Sequence, residues 1–549
     1  MAKQNVARSA GIVSAAVLTS RLSGLIRETV MAHLFGAGRV YDAFSLGFRI
    51  PNLTRDLFAE GALSSAFVPT FTEYLVKDRR EAVRLSNLVG TALLVIVGLV
   101  TVAGMTFTPW LVALLAPGWE VADPGKFALA IQLTRIMFPF LLMVAMAAQA
   151  MGVLNACNRF GIPATASTLF NLGSVAFGIA AMWSVGPRLG LPPIESMAYG
   201  IVAGGVMQLL WQVPSLVKLG FGFRPAWNWS HPGLRHIATL MLPAIIGSAA
   251  VQVNAMVNTN FASTIVDPVR GVNGPVSWLG YAFRFLQFPL GVFGVAIASA
   301  TLPSLSRSAF TGDLDGFRRM IARALGSTML LTLPATAGLI ILGGKMIGLV
   351  YQGRKFEAYD THQTALALSG YAIGLAAYAS LKVLAPAFYA LGNARIPMLV
   401  SLASVALNYF AAWSMVTRAH WGHAGLALAT SLVAVAGALA LFWLLRERLG
   451  GIHGRALVRT ALKVTLACAG MVAVVLPVTD AIERWLGMNR LARAIDLGIS
   501  IPLGAAVYIA IAYWLRVAEL ETAARALHLP DTAVARFKRD RIEKKWLQT

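Results

Sequence analysis

Long apolar stretches recur along the whole chain and alternate with short polar segments. About fourteen of these stretches contain roughly 18 or more residues, the length a helix needs to cross a hydrocarbon core about 30 Å thick. In lipid, every backbone N–H and C=O group must be bonded within the protein, so stretches of this length are helices. The pattern therefore predicts an all-α polytopic membrane protein with about fourteen transmembrane helices.

The two halves of the chain share a sequence pattern. FVPTF around Pro69 matches TLPSL around Pro303, and Ile162-Pro163 matches Ile396-Pro397, with 234 positions between the members of each pair. This offset spans about six predicted helices, and an even number returns the chain to the same side of the membrane, so the repeats are parallel. The alternative is that Pro-bearing apolar helices resemble one another by chance.

The duplication predicts two six-helix lobes around a central cavity, a design typical of alternating access. The predicted lobes cover residues 1–225 and 226–450, and residues 451–549 hold a C-terminal helix pair and a basic tail.

Composition and charge agree with a membrane protein. Hydrophobic residues make up 57% of the chain and charged residues 13%, whereas soluble proteins carry about 25% charged residues. The net charge of +22 comes from Lys and Arg that lie mostly between apolar stretches and in the tail. This distribution predicts that both termini lie on the cytoplasmic side of the membrane, and that anionic lipids rather than nucleic acid are partners.

Arginines inside the apolar stretches are the strongest indication of function. They occur in the first, second and eighth stretches at Arg21, Arg27, Arg55 and Arg284, and Glu60 lies in the second. An arginine at the centre of a membrane helix costs about 2.5–3.5 kcal/mol. Four of them therefore predict a water-filled cavity with an anionic ligand. The alternative is that some snorkel to the interface, an interpretation we favour for Arg49, Arg135 and Lys382.

The charged residues of the first apolar stretch lie on one side of the predicted helix. At about 100° per residue, Arg21 and Arg27 lie on either side of Gly24, and Glu28 falls nearly below Arg21. Guanidinium groups bind phosphate bidentately and stay charged at all relevant pH values. A diphosphate head group suits such a cluster, and a cationic drug does not.

Three long motifs resemble the MurJ (MviN) family of lipid II flippases, which belongs to the superfamily of multidrug and oligosaccharidyl-lipid exporters. They are SRLSGLIRETVMAHLFGAG (Ser20–Gly38), YDAFSLGFRIPNLTRDLFAEGALSSAFVPTFTEY (Tyr41–Tyr74) and SWLGYAFRFLQFPLGVFGVAIASATLPSLS (Ser277–Ser306). The similarity extends over nearly the whole chain. It implies a transporter rather than an enzyme, and lipid II as its substrate.

The resemblance also implies site residues. The essential cavity arginines of the family fall on Arg21, Arg27, Arg55 and Arg284, and its acidic positions on Glu28, Asp42 and Glu60. Ser20 and Ser277 match polar cavity positions, and the last two spans match those that form a groove for the polyprenyl tail. Some relatives have a sodium site formed by acidic residues in spans seven and eleven. This chain has no clear carboxylate in those spans and instead has Gln252, Asn254, Asn258 and Asn408, so the sequence does not predict a sodium site.

The resemblance and the motifs leave few other functions. There is no Walker loop, and His420 with His423 has only loose metal spacing, so we predict no cofactor and no metal. Coupling to membrane potential, protons or a monovalent ion stays open. We expect a functional monomer, acting alone or together with cell-wall synthesis proteins. The alternatives are another exporter of the superfamily, such as an O-antigen flippase or a drug antiporter, and a membrane enzyme acting on lipid-linked sugars.

Overall fold

A computed structural model describes residues 2–55 and 63–520, and most of these residues are helical. Within these described ranges, ten stretches are long and apolar enough to cross a membrane. The bent pair Ala358–Ile373 and Leu375–Ala390, with 41° between its helices, brings the number to eleven over the part of the chain that is described. The predicted all-α membrane fold is confirmed, and the number of fourteen spans stays a prediction.

Backbone contacts divide the chain into two compact units, Met1–Gly280 with Tyr351–Asp360, and Tyr281–Val350 with Thr361–Thr549. The predicted lobes and the C-terminal pair stay predictions.

The helices of the first half, in chain order, are α1 Ala2–Phe35, α2 Arg39–Arg55, α3 Ser64–Lys77, α4 Arg79–Thr106, α5 Thr108–Leu115, α6 Pro117–Ala122, α7 Pro124–Met137, α8 Phe140–Ala156, α9 Gly161–Trp183, α10 Val185–Leu189, α11 Pro193–Leu210, α12 Val213–Lys218, α13 Pro232–Thr264 and α14 Pro275–Pro289. Their boundaries follow from local chemistry. Asp78 caps α4 by accepting from the Arg80 N–H, and Asp123 caps α7 by accepting from the Lys126 N–H, with Pro124 as first helical residue.

The helices of the second half are α15 Ala296–Phe310, α16 Leu314–Val350, α17 Ala358–Ile373, α18 Leu375–Ala390, α19 Arg395–Trp413, α20 Gly422–Leu449, α21 Gly454–Leu486 and α22 Arg490–Trp514. A π-helical segment, Leu290–Val295, joins α14 to α15 directly after Pro289. Proline has no N–H group to donate to the preceding turn, so the wider π spacing there accommodates it.

Two apolar cores hold the second unit together. One joins α15, α16, α18 and α20 around Phe317 and Phe388, which are fully buried. The other joins α16, α21 and α22 around Leu330, Val464 and Ala512.

Candidate functional site

Arg27 lies in a buried aromatic setting in the first unit. Its guanidinium carbon is 5.3 Å from the centre of the Phe48 ring and 5.5 Å from that of Phe170, and the residue is 8% exposed. The Phe140 ring stacks on Phe170 at 5.0 Å. Helices α1, α2 and α9 therefore contribute one residue each to a cation–π arrangement, and α8 supports it.

Glu28 holds Arg27 from the next position on α1. Arg27 Nη2 donates to Glu28 Oε1 at 3.0 Å, and the Tyr41 hydroxyl donates to Glu28 Oε2 at 2.5 Å. Both members of the ion pair are buried. Because a buried charge is tolerated only when it is paired and hydrogen-bonded, these contacts explain how an arginine can lie inside a helical membrane protein.

The N-terminal part of the predicted polar sector packs on α9. Asn171 Nδ2 donates to the Ser20 carbonyl at 3.2 Å and to Ser23 Oγ at 3.1 Å. A Cβ atom on Gly24 would lie 3.5 Å from Asn171 Nδ2, an ordinary van der Waals distance, so Gly24 faces the Asn171 amide on α9. Arg21 is exposed on the same helix.

Asp42 and Ser277, distant in sequence, are brought together. Asp42 is fully buried and accepts from the Gly274 N–H at 2.7 Å, the Ser277 N–H at 2.8 Å and the Ser277 hydroxyl. A carboxylate on α2 thus caps the first turn of α14, the helix that carries Arg284 further along. Asp42 satisfies N–H groups that have no partner within α14 itself.

Lys126 makes a further contact with Asp42, and sequence analysis missed it. We call the ion pair between Asp42 and Lys126 the clasp. Its Nζ atom donates to Asp42 Oδ2 at 2.7 Å and to the Val272 carbonyl at 2.9 Å, and it lies 3.9 Å from the centre of the Trp119 ring. The side chains of Lys126 and Asp42 are both 0% exposed. The available signal was a lysine three positions after the capping residue Asp123, in the first turn of a largely apolar helix.

A second ion pair, between Arg39 and Asp123, joins the start of α2 to the start of α7, as the pair of Asp42 and Lys126 does. Arg39 donates from Nε and Nη2 to the two carboxylate oxygens of Asp123 at 2.7 and 2.8 Å. These hydrogen bonds from Arg39 hold the pKa of the Asp123 carboxyl below its usual range.

The remaining predicted residues are distributed over both units. Arg55 is half-buried at the end of α2, and Arg284 is exposed on α14, where its Nη1 lies 3.4 Å from Gln287 Oε1. Glu60 lies outside the described residues.

Over residues 2–55 and 63–520, no group of three or more His, Cys, Asp or Glu side chains is placed to hold a metal ion. The His423 Nε2 atom is 2.9 Å from the Gln363 carbonyl oxygen, a hydrogen bond that fastens α20 to α17.

The fold has the architecture of a known class of membrane transporters. It is similar to an inward-facing multidrug resistance transporter of the MATE family, within the MOP superfamily, with a TM-score of 0.65 at 15% identity over 79% of this chain and 94% of the other. It is also similar to a solved lipid II flippase MurJ in an inward closed conformation, with a TM-score of 0.74 at 24% identity over 92% of this chain and 98% of the other.

The sequence identifies the family within that class. The family described as "Lipid II flippase MurJ" matches residues 31–493. A probable lipid II flippase MurJ of Vibrio cholerae serotype O1 is 34% identical over 527 residues, covering 93% of this chain and 96% of the relative. The chain therefore belongs to the lipid II flippase MurJ family, as its motifs predicted, and it is a multi-pass membrane protein.

Proposed function

We propose that this protein moves lipid II from the cytoplasmic to the periplasmic leaflet of the bacterial inner membrane by alternating access. Arginines bind the diphosphate and sugar head group in a cavity. The protein acts as a monomer, with both termini cytoplasmic, and carries out no covalent chemistry. The driving force is a membrane potential, a proton gradient or a monovalent ion.

The observation that carries this proposal is the environment of Arg27. Two phenyl rings lie 5.3 and 5.5 Å from its guanidinium carbon but accept no ordinary hydrogen bonds, and the bond to Glu28 engages one N–H group. A guanidinium has five N–H donors. Arg27 can therefore bind a phosphate oxygen without leaving Glu28, and its orientation is set before the lipid arrives.

Five of the other predicted residues fall into two groups with different roles. Arg21, Arg55 and Arg284 supply additional positive charge for the diphosphate. Asp42 and Ser277 position α14 through their mutual hydrogen bonds, since neither has exposed surface to offer a ligand.

Depletion of the protein tests the direction of transport. In cells whose only MurJ-family protein is this chain, depletion is expected to make lipid II accumulate in the cytoplasmic leaflet. The measurement is the fraction of lipid II cleaved by an added hydrolase that cannot cross the membrane. This fraction should fall on depletion and recover when the chain is supplied again.

The same experiment separates the alternatives. A drug antiporter or an O-antigen flippase would leave the cleaved fraction of lipid II unchanged, and that result would refute the proposal. One assay therefore distinguishes a lipid II flippase, whose depletion lowers the cleaved fraction, from these other exporters, whose depletion leaves it unchanged.

Substitution of Phe170 tests the role of the aromatic rings. Phe170→Leu keeps an apolar side chain but removes a cation–π contact worth about 0.5–2 kcal/mol, so we expect transport to fall roughly 2- to 30-fold. The matched control is Phe177→Leu on the same helix, where the ring is 51% exposed. Equal transport by the two variants would contradict a role for the ring in holding Arg27.

A further inference from the structure

The C-terminal helices α21 and α22 are fastened to α16 by polar clusters near both ends of a membrane span. The first, the Lys345 cluster, consists of Lys345, Thr479, Glu483, Asp496 and Ser500. The second, the Glu519 cluster, consists of Gly326, Thr460 and Glu519. Gly326 and Lys345 on α16 are separated by about 28 Å at 1.5 Å per residue, close to the thickness of a hydrocarbon core.

In the Lys345 cluster one ammonium group joins all three helices. Lys345 Nζ on α16 lies 2.7 Å from Asp496 Oδ2 on α22, and 2.6 Å from Thr479 Oγ1 and 3.1 Å from Glu483 Oε2 on α21. The hydroxyls of Thr479 and Ser500 donate to Asp496 at 2.5 and 2.6 Å. The Asp496 side chain is 3% exposed, so its charge depends on these partners.

Cations of the first turn of α22 close the adjacent end of α16. Arg490 Nε donates to the Leu349 carbonyl at 3.2 Å. A Cβ atom on Gly348 would lie 2.6 Å from Arg493 Nη1, so the guanidinium rests directly on this glycine. Positive charge at a helix C-terminus is favourable, because the last carbonyl groups have no partner within the helix.

The Glu519 cluster makes the corresponding connection at the other end. Thr460 Oγ1 on α21 lies 2.9 and 3.1 Å from the two carboxylate oxygens of Glu519, which follows α22. A Cβ atom on Gly326 of α16 would lie 2.8 Å from Glu519 Cγ. Between the clusters the three helices share an apolar core, and the Tyr508 hydroxyl donates to the Leu330 carbonyl at 2.7 Å.

We propose that α16, α21 and α22 move as one rigid body during transport, and that Lys345 and Asp496 are positioning residues that keep the helix pair against α16. The pair is bound along its full length by two polar clusters and a continuous core. Movement of α16 therefore carries the C-terminal helices with it. This inference rests on the proposed function, because its tests measure transport of lipid II.

A disulfide between α16 and the segment after α22 tests the rigid body. A Cβ atom on Gly326 would lie 2.8 Å from Glu519 Cγ, and the Glu519 Cβ atom is one C–C bond of about 1.5 Å further along. With Cys157 and Cys468 changed to Ala, Gly326→Cys and Glu519→Cys therefore place two Cβ atoms no more than about 4.3 Å apart, close enough for a disulfide. We expect complete oxidation in membranes and no loss of lipid II translocation on oxidation. Glu519→Cys alone is the control. Incomplete disulfide formation, or transport that disappears on oxidation and returns on reduction, would overturn the rigid body.

Removal of the lysine tests the lock. Lys345→Met is expected to lose translocation, and the exchanged pair Lys345→Asp with Asp496→Lys to regain part of it. In the Lys345→Met protein, the oxidised disulfide between positions 326 and 519 should restore transport, a rescue that general misfolding would not allow. Unimpaired transport by Lys345→Met, or no rescue by the disulfide, would refute the positioning role. Failure of the unsubstituted parent to translocate lipid II would instead count against the proposed function, and disulfide formation would still test the rigid body.

Discussion

Arg27→Ala is expected to abolish the growth of cells that rely on this chain as their flippase. Two hydrogen bonds from a guanidinium to a phosphate contribute about 3–6 kcal/mol, so translocation of lipid II should fall by at least about 100-fold. Glu28 retains its hydrogen bond from Tyr41 in this variant, and the surrounding rings still pack. The variant also removes the cation paired with the buried Glu28 carboxylate, so immunoblotting of membrane fractions must show normal amounts of the protein before the defect is assigned to transport.

Two further variants show whether the effect belongs to the site. Arg135→Ala removes an arginine from α7 whose Nε donates to the Met105 carbonyl at 3.2 Å, and this exposed residue should be dispensable. Arg27→Lys keeps the charge but loses the flat bidentate group next to the rings, so partial activity is expected. Normal growth with Arg27→Ala, or equal defects in Arg27→Ala and Arg135→Ala, would count against the proposed cavity.

The sequence predicted the arginines because their cost in lipid is independent of the fold. A charge near the middle of an apolar stretch suggests function whichever helices surround it, whereas a charge near the end can reach the interface. The 3.6-residue period also placed Gly24 between Arg21 and Arg27, and the structure puts Asn171 close above that glycine. The helical fold class followed in the same way from the length of the apolar stretches.

The partners of these residues could not be predicted from the same pattern. Phe170 is one apolar residue among many on α9, and only the packing of α1 against α9 brings its ring to Arg27. Asp42 and Lys126 are 84 positions apart in the chain. Since periodicity describes one helix at a time, it contains no information about which charges on different helices meet.

The clasp of Asp42 and Lys126 yields the largest expected effect on stability. Lys126→Met leaves a fully buried carboxylate without its cation, which costs about 3–5 kcal/mol in soluble proteins. We expect a drop of several degrees in the thermal unfolding midpoint of the purified protein in detergent. Lys77→Met is the matched control, since Lys77 lies 2.6 Å from Glu73 but both side chains are more than half exposed. Exposed pairs contribute at most about 1 kcal/mol, so this midpoint should hardly change.

A double substitution separates the charge from the geometry of the clasp. Asp42→Asn combined with Lys126→Met removes both charges but keeps a side-chain oxygen that can accept from the Ser277 N–H at the start of α14. If the loss in Lys126→Met comes from an uncompensated charge, the double variant should be more stable than the single one. If the two variants unfold at the same temperature, the contact of Lys126 with Trp119 and the Val272 carbonyl, rather than the ion pair, stabilises this end of the first unit.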